Sequence, residues 1–418
     1  MAKLTFIHSG DIHLGAPFRG LRALSRKWAD RLVSAIPEAF DRVVESCLEN
    51  QVDFLVLAGD IFDTDKPSYA HYRHFIKGVE RLKDAHIPVY IVAGNHDPFS
   101  NWHDYQDALP ENVLFFPSDQ AEYIVHRKNG EPLAFIAGRG FSNQPAGGDI
   151  ARGITRAAAR EACGVEAPFA VGILHTGFWM DPFKAPCSET TLLSADMNYW
   201  ALGHIHKKYL QPENDPVIAY CGCAQGRDIK ETGERGCFKV TLEEGVPNKV
   251  EFIQTGSVEW EQLEIDVSEC AGVDDILARC IRVMFDTNTQ VECEEMIARI
   301  TFVGQTPLHD MLARPGLLEE MRSELNDRYP SFFCDAMIDR TQPPLDKEAL
   351  ERAGLFPAAL IKSAHAEEGR REEQLSYLQD EFSQRGISLP LGMEGRLDDL
   401  TAQAETLVLS LLDGGDRQ

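Results

Sequence analysis

Five short apolar runs, each ending in a polar cluster of Asp, Asn or His, limit what this chain can fold into more than any other feature of it. The runs are Leu4–His8, Asp53–Ala58, Pro88–Ala93, Phe169–His175 and Tyr199–Leu202, and Leu133–Ala137 is a similar run without a cluster. Their length and β-branched content predict buried strands. The clusters are Asp11-Ile-His13, Gly59-Asp60-Ile-Phe-Asp63, Gly94-Asn95-His96-Asp97, His175 and Gly203-His204-Ile-His206. Between the runs lie segments of helical period: from Trp28 to Leu48 the apolar positions Trp28, Leu32, Ile36, Phe40, Val43, Val44 and Cys47 recur at 3–4 residue spacing. Such alternation over residues 1–256 predicts an α/β (α+β) fold, with helices on the faces of a sheet and the chemistry on loops leaving strand ends.

Aspartate, asparagine and histidine are ligand types suited to Mn, Fe or Zn. Glycine beside them lets the backbone turn sharply, so that side chains project into a common bowl. In Asp-x-His and His-x-His, alternate residues point the same way if the backbone is extended, so that both can reach one metal. A lone His at a strand end is ordinary hydrogen-bonded structure. Five clusters that together offer seven ligands are not accounted for by packing. Seven ligands shared by two ions, with one bridging carboxylate, make a two-metal centre for in-line displacement at phosphorus.

The ordered set Asp-x-His, Gly-Asp-x-x-Asp, Gly-Asn-His-Asp, His and Gly-His-x-His resembles the calcineurin-like metallophosphoesterases. Within them the opening Phe6-Ile-His-Ser-Gly-Asp-Ile-His-Leu-Gly15 resembles the SbcD-type DNA repair nucleases, and the block from Tyr220 to Cys237 is similar to the bacterial YhaO-like branch. The resemblance covers about residues 4–256 and implies a two-sheet sandwich flanked by helices. It implies that Asp11, His13 and His206 bind one metal ion, that Asn95, His175 and His204 complete the second, and that Asp60 bridges them. Two divalent ions, with Mn²⁺ foremost, and a catalytic His96 at the scissile phosphate or the leaving oxygen follow from the same resemblance. Asp97 is expected to orient a ligand rather than to be one. Some nucleases of this type carry His at the position of Asp63, so Asp63 is expected to make a structural bond to backbone or Arg.

Charge at first argues against nucleic acid. The chain carries 41 Lys and Arg against 66 Asp and Glu, a net charge of −25, whereas phosphate backbones attract basic faces. The charge is uneven: residues 1–250 hold 26 basic and 32 acidic side chains, a balance of −6, and residues 251–418 hold 15 and 34, a balance of −19. The asymmetry suggests separate domains. The run Arg19, Arg22, Arg26, Lys27 and Arg31 reads by itself as a solvated helix face; with Lys207 and Lys208, and with divalent ions offsetting Asp11 and Asp60, it could instead meet DNA phosphates. The ten cysteines are scattered with no Cys-x-x-Cys pair, as in reduced proteins. Cys221-Gly-Cys223, the one close pair, is expected to pack at a strand edge. No apolar stretch approaches a membrane span and no signal region opens the chain, so a cytoplasmic location is expected. His8, His71, His74, His86, His126, His309 and His365 lie outside the motifs and are expected at the surface or in packing; His103 is a candidate for substrate contact.

After residue 256 the pattern changes. Strands over Glu261–Val267 and Glu292–Val303 flank a helix around Asp274–Phe285, and Leu312–Tyr329 reads as a second helix, together a small α/β cap over 257–340. Thr341-Gln-Pro-Pro344 is a linker signal. A helical C-terminal tail follows over 341–418, with a break at Gly354–Pro357 and a last helix over Gly395–Leu412. There Leu397, Leu400, Ala404, Leu407, Val408 and Leu411 form an apolar stripe that serves either intrachain packing or docking of a partner. The resemblance implies DNA as substrate, an SbcC-like coiled-coil ATPase as partner, no membrane, and a homodimer. The expected activity is a two-metal phosphodiesterase, a DNA exonuclease or endonuclease in repair. The alternatives are a phosphomonoesterase or cyclic-nucleotide phosphodiesterase on the same site, and a non-catalytic scaffold for a DNA-processing ATPase.

Overall fold

The computed structural model describes residues 2–64, 66–98, 109–141, 148–181, 183–290, 295–329 and 331–344. Beyond these it describes Arg352, residues 355–367 and 370–385, and Leu397, Leu400, Thr401, Ala404, Val408 and Leu409. The chain forms two compact units, residues 1–263 with 281–299 and 322–336, and residues 264–280 with 300–321 and 337–418.

The first unit carries two six-stranded sheets. Strands are numbered along the chain: β1 (Lys3–Ser9), β2 (Phe54–Leu57), β3 (Val89–Val92), β4 (Val113–Phe116), β5 (Glu122–Lys128), β6 (Glu131–Arg139), β7 (Phe169–His175), β8 (Tyr199–Gly203), β9 (Tyr209–Gln211), β10 (Ile218–Tyr220), β11 (Gly236–Glu243) and β12 (Val246–Gln254). One sheet has the order β12-β11-β1-β2-β3-β4 and the other β5-β6-β7-β8-β10-β9. The strands that carry polar clusters are parallel neighbours, β1-β2-β3 in the first sheet and β7-β8 in the second, so their C-terminal ends open on the same side of each sheet.

Alternation along the strands produces the layers. Phe6, Phe54, Val56 and Tyr90 share a buried cluster with Ile136, Val171 and Tyr199 of the other sheet, and this is the interior of the sandwich. The intervening Ile7, Leu55, Leu57, Val89 and Ile91 face the other way, onto Trp28, Leu32, Ile36, Phe40 and Val43 of the helix Arg26–Glu49 and onto Phe75 and Val79 of the helix Tyr69–Asp84. Both helices start on a Ser whose side chain accepts from a backbone N–H in the first turn, Ser25 from Trp28 and Ser68 from His71. The other sheet's outer face, with Phe135, Leu174 and Trp200, packs on the segments around Ile150, Ala159 and Leu192. The mixed α/β fold with helices on sheet faces is the one the alternation predicts, and its two sheets are those the resemblance implies.

A third sheet has the order β13-β14-β15, from Val258–Asp266, Glu295–Val303 and Phe332–Asp339. The last strand corrects the strand–helix–strand–helix reading. Its apolar run is interrupted by Asp335, a residue rare in strands, but Asp335 is buried against Arg299 and the ion pair satisfies it. The helix expected over Leu312–Tyr329 is two, His309–Leu312 and Leu317–Arg328, separated at Pro315 and Gly316, the latter at φ +88°. In the tail the helix Leu355–Glu367 begins inside the stretch where a break is expected, and Arg371–Gln384 follows. Of the apolar stripe, Leu397 is buried and Val408 exposed, while Leu407 and Leu411 lie outside the described residues. Among the described residues no helix is long and apolar enough to cross a membrane.

Candidate metal centre

The loop after β1 runs against the loop after β2, with Asp11 N–H donating to Gly59 O (3.0 Å), His13 N–H to Asp60 O (2.9 Å) and Leu14 N–H to Ile61 O (2.8 Å). Here a correction is needed. Asp11, His13 and Asp60 are not extended: their φ values are +50°, +55° and +51°, and His204 stands at +98°. The ligand side chains therefore converge through left-handed turns and not through the alternation of a pleated strand. Such conformations are strained for residues with a Cβ and persist where the surroundings over-determine them. Gly59 at φ +89° is required on space as well, since a Cβ there would lie 2.6 Å from His175 Nδ1.

All seven expected ligands and His96 meet at this point. His13 Nε2 lies 3.2 Å from His206 Nε2 and 3.7 Å from Asp60 Oδ2. Asp60 Oδ2 is also 3.5 Å from His175 Nε2, so one carboxylate faces both halves of the cluster. Asn95 Oδ1 lies 3.0 Å from His175 Nε2 and 2.8 Å from His204 Nδ1. Asp11 Oδ1 is 3.6 Å from His206 Nε2, and the Asp11 carboxylate accepts the His204 N–H. Asp11, His13, Asp60 and His175 are buried. His96 is the exposed member, its side chain 42% accessible; its backbone N–H donates to Asp60 Oδ1 and its Nδ1 to the Asp63 carbonyl, which leaves Nε2 for a substrate.

The second nitrogen of each histidine decides whether this cluster suits a cation. His13 Nδ1 meets Asp63 Oδ1 at 3.1 Å, His206 Nδ1 meets Glu231 Oε1 at 2.6 Å, His175 Nδ1 meets Ala58 O at 2.9 Å and His204 Nε2 meets Asp181 Oδ2 at 3.1 Å. Each of these partners only accepts, and at His206, where the Arg227 guanidinium also stands 3.2 Å from Nδ1, the shorter Glu231 contact decides; each outer nitrogen therefore carries the hydrogen and each inner one presents a lone pair. Four lone pairs and the oxygens of Asp11, Asp60 and Asn95 then face one another at 2.8–3.7 Å, an arrangement that repels itself unless positive charge lies within it. The donor chemistry would suit divalent ions, with Asp11, His13 and His206 forming one candidate group and Asp11, Asp60 and His175 another that shares the Asp11 carboxylate.

The electrostatics agree. Burial opposes a charged ring at His206, yet Asp11 and Glu231 carry its pKa up to about 9, so in the absence of metal a proton occupies the place a cation would take. His13 is held well below the ordinary value by burial and by Arg227, and His204 is lowered by burial and by His175. Burial works against ionised Glu231, but His206 and Arg227 push it down to about 2.

Arg227 is the hub behind this wall. Its guanidinium donates to Asp63 Oδ1 (2.9 Å) and Glu231 Oε1 (3.2 Å), joining the two carboxylates that orient His13 and His206. Asp63 thus makes the bond to Arg that the sequence predicts. Asp97 accepts from the backbone N–H groups of Asp60, Ile61, Phe62 and Gly94 and so fixes both ligand loops. Burial and the Asp60 charge push its pKa up to about 7 against those four donors. Sequence reasoning missed Asp181, Arg227 and Glu231. The spacing of Arg227 and Glu231, four residues apart in the 220–237 block, is the one available signal; Asp181 has none.

Other candidates resolve differently. Cys221 and Cys223 are buried, and burial raises both thiols. Cys223, His206 and Glu231 lie close enough to hold an ion, but the Arg227 guanidinium already touches the latter two and supplies the positive charge. Of the basic surface, Arg31 is held by Glu38 and Glu295, while Arg22 and Arg26 share the exposed Asp30 and Lys208 pairs with Glu234, so acids offset part of the charge this cluster presents. The side chain of Arg19 and the whole of His103 lie outside the described residues. His8 bridges the sheets between Tyr199 Oη and Leu202 O, and His126 meets Tyr90 Oη, as expected of packing residues.

Residues 4–208 match the calcineurin-like phosphoesterase family, and 336 residues, 78% of this chain and 78% of the relative, are 32% identical to YhaO of Bacillus subtilis, an uncharacterized metallophosphoesterase. The chain belongs to the calcineurin-like phosphoesterases. Residues 260–342 match the middle domain of metallophosphoesterase YhaO. The DNA double-strand break repair protein Mre11 of Thermoplasma acidophilum is 26% identical over 62% of this chain and 65% of its own length. That of Methanococcus maripaludis is 26% identical over 54% and 59%. The chain thus matches less than two thirds of either repair protein. As a calcineurin-like phosphoesterase it is a hydrolase whose family uses divalent metals, and its motif residues are the candidate ligands of a dimetal site.

Proposed function

We propose that this phosphoesterase is a two-metal phosphodiesterase of the SbcD type that hydrolyses DNA in repair, with Mn²⁺ as its metal and a coiled-coil ATPase as its partner. The observation that carries the reading is the convergence of all seven ligands around Asp60, with His96 exposed at the edge of the same cluster. Divalent ions held there supply Lewis acidity, lowering the pKa of water and neutralising phosphate oxygens. The protein's own part is positional. Asp60 presents one oxygen towards both His13 and His175, Asp97 holds the two loops that carry Asp60 and Asn95, and His96 as the imidazolium, its Nδ1–H kept on the Asp63 carbonyl, gives its Nε2 proton to the departing oxygen and is left neutral. Likeness to proteins named for double-strand break repair supports a nucleic-acid substrate. An apolar groove of about 730 Å³ lined by Leu360, Tyr377, Leu378, Phe382, Leu400 and Val408 supports helix-in-groove docking by the tail.

Purified protein with Mn²⁺ is to be given end-labelled DNA, a chromogenic phosphate diester and a chromogenic phosphate monoester. DNA and diester hydrolysis is expected. Hydrolysis of the monoester alone overturns the nuclease reading in favour of a phosphomonoesterase, and no hydrolysis with metal bound leaves the scaffold.

A further inference from the structure

The loop that follows β7, residues 176–185, leaves two aromatic rings in solvent beside the metal cluster: Trp179 is 63% and Phe183 92% exposed. The loop is nevertheless tightly built. Gly177 N–H donates to Lys184 O (2.8 Å), Asp181 N–H to Gly177 O (2.8 Å), and Thr176 Oγ1 to Ala185 O (2.6 Å), while Tyr220 Oη donates to Thr176 O (2.8 Å). Phe178, buried at 1% exposure and held at φ +50°, is the aromatic that anchors the loop to the core; Trp179 meets it only at a tilt, ring centroids 6.5 Å apart, and keeps most of its own surface in solvent. Asp181, between the two rings in sequence, is the residue that receives His204 Nε2 at 3.1 Å. Trp179 and Phe183 are each two residues from it, which places their Cα atoms within about 7 Å of the Asp181 Cα. Exposed Lys184 follows Phe183 on the same loop.

We propose that Trp179 and Phe183 form a stacking platform for the bases of single-stranded DNA, with Lys184 on the adjoining phosphate. The proposal rests on the phosphodiesterase reading and names the substrate form that the site takes. Rigid aromatic faces that bind unstacked bases, interleaved with a cation, are how proteins hold single strands without reading sequence. A duplex keeps its bases stacked internally and offers these rings only a frayed end. With Arg22, Arg26, Arg31 and Lys208 each beside an acid, part of the local positive charge is offset, and stacking adds a contribution that charge does not supply.

The test compares an oligo-dT strand with an abasic strand of the same length, using the full chain and a Trp179→Ala/Phe183→Ala double variant. Two readouts are taken: anisotropy of labelled strand in EDTA, and KM with Mn²⁺. The double variant is expected to weaken oligo-dT binding and raise its KM by about tenfold or more, leaving the abasic strand unchanged. Trp179→Phe, which keeps a ring, is expected to retain the affinity and guards against loss through misfolding. Equal losses on both strands, or no loss on oligo-dT, overturn the platform. So does unchanged binding with a shift from dimer to monomer on gel filtration, which would make the rings a self-association face. Base-dependent binding without cleavage of any DNA would sustain the platform and overturn the nuclease reading, so the two fail separately.

Discussion

The Nε2 atoms of His13 and His206 face each other at 3.2 Å, each ring having given its Nδ1 hydrogen to a carboxylate, Asp63 for one and Glu231 for the other. Two lone pairs at that separation are stable only around positive charge, and the cluster contains the same relationship between His175, Asn95 and His204. On this geometry a cation bound in the cluster is expected to be coupled to folding.

Metal should therefore stabilise the chain. At a free Mn²⁺ concentration about 100 times the dissociation constant, each site is expected to add about 2.7 kcal/mol to the unfolding free energy. Thermal melts with Mn²⁺ and with EDTA measure it, and coincident curves would contradict the assignment of the ligand cluster.

Arg227 and Asp181 should act on different ions. Arg227→Met releases Asp63 and Glu231 from their shared guanidinium and is expected to weaken the His13/His206 site by roughly 10–100-fold. Asp181→Asn should do the same to the His204 site. Calorimetric titration resolves two classes of site, and an identical effect of both variants on one class would refute the division.

His96→Ala should keep both ions and lose turnover by roughly 10²–10⁴-fold, because His96 sits at the exposed edge without being one of the seven ligands. Metal content by elemental analysis is the deciding measurement: loss of an ion would make His96 a ligand.

Asp97→Ala should destabilise the fold by on the order of 3–5 kcal/mol, since it strands four backbone N–H groups beneath the ligand loops. A denaturant midpoint equal to that of the parent would mean that water takes over the role of the carboxylate.

Glu259 on β13 carries a pH dependence away from the metals. It is buried, and burial, with the carboxyls of Glu261 and Glu234 nearby, pushes its pKa up to about 8 from 4.5. A carboxyl that prefers its proton in the folded chain favours folding below the unfolded value and loses that contribution as pH rises through the folded one. Stability should fall between pH 4.5 and about 8, and Glu259→Gln should remove much of the slope, gaining about 1–2 kcal/mol at pH 8 after solvent screening. Unchanged slopes in denaturant melts would assign the dependence elsewhere.

The grouping of the candidate ligands is legible because each lies within a few residues of a strand that its own apolar run declares: Asp11 after β1, Asp60 after β2, Asn95 after β3, His204 after β8. The manner of convergence is not, because left-handed conformations at Asp11, His13 and Asp60 leave no trace in residue type. Strand β15 was hidden by Asp335, whose charge makes sense only beside Arg299, 36 residues earlier. The acids beside the basic run from Arg22 to Arg31, Asp30, Glu38 and Glu295, are set by helix packing and by a residue 264 positions away, which no local pattern shows.

By itself the sequence determined the order and identity of the groups and the strand ends they leave, since periodicity and turn chemistry act over a few residues. Only the tertiary structure decided which nitrogen of each histidine faces inward. That choice belongs to Asp63, Glu231, Asp181 and Ala58, which lie 23–117 residues from the rings they orient, and a proton's position is set by what is near in space.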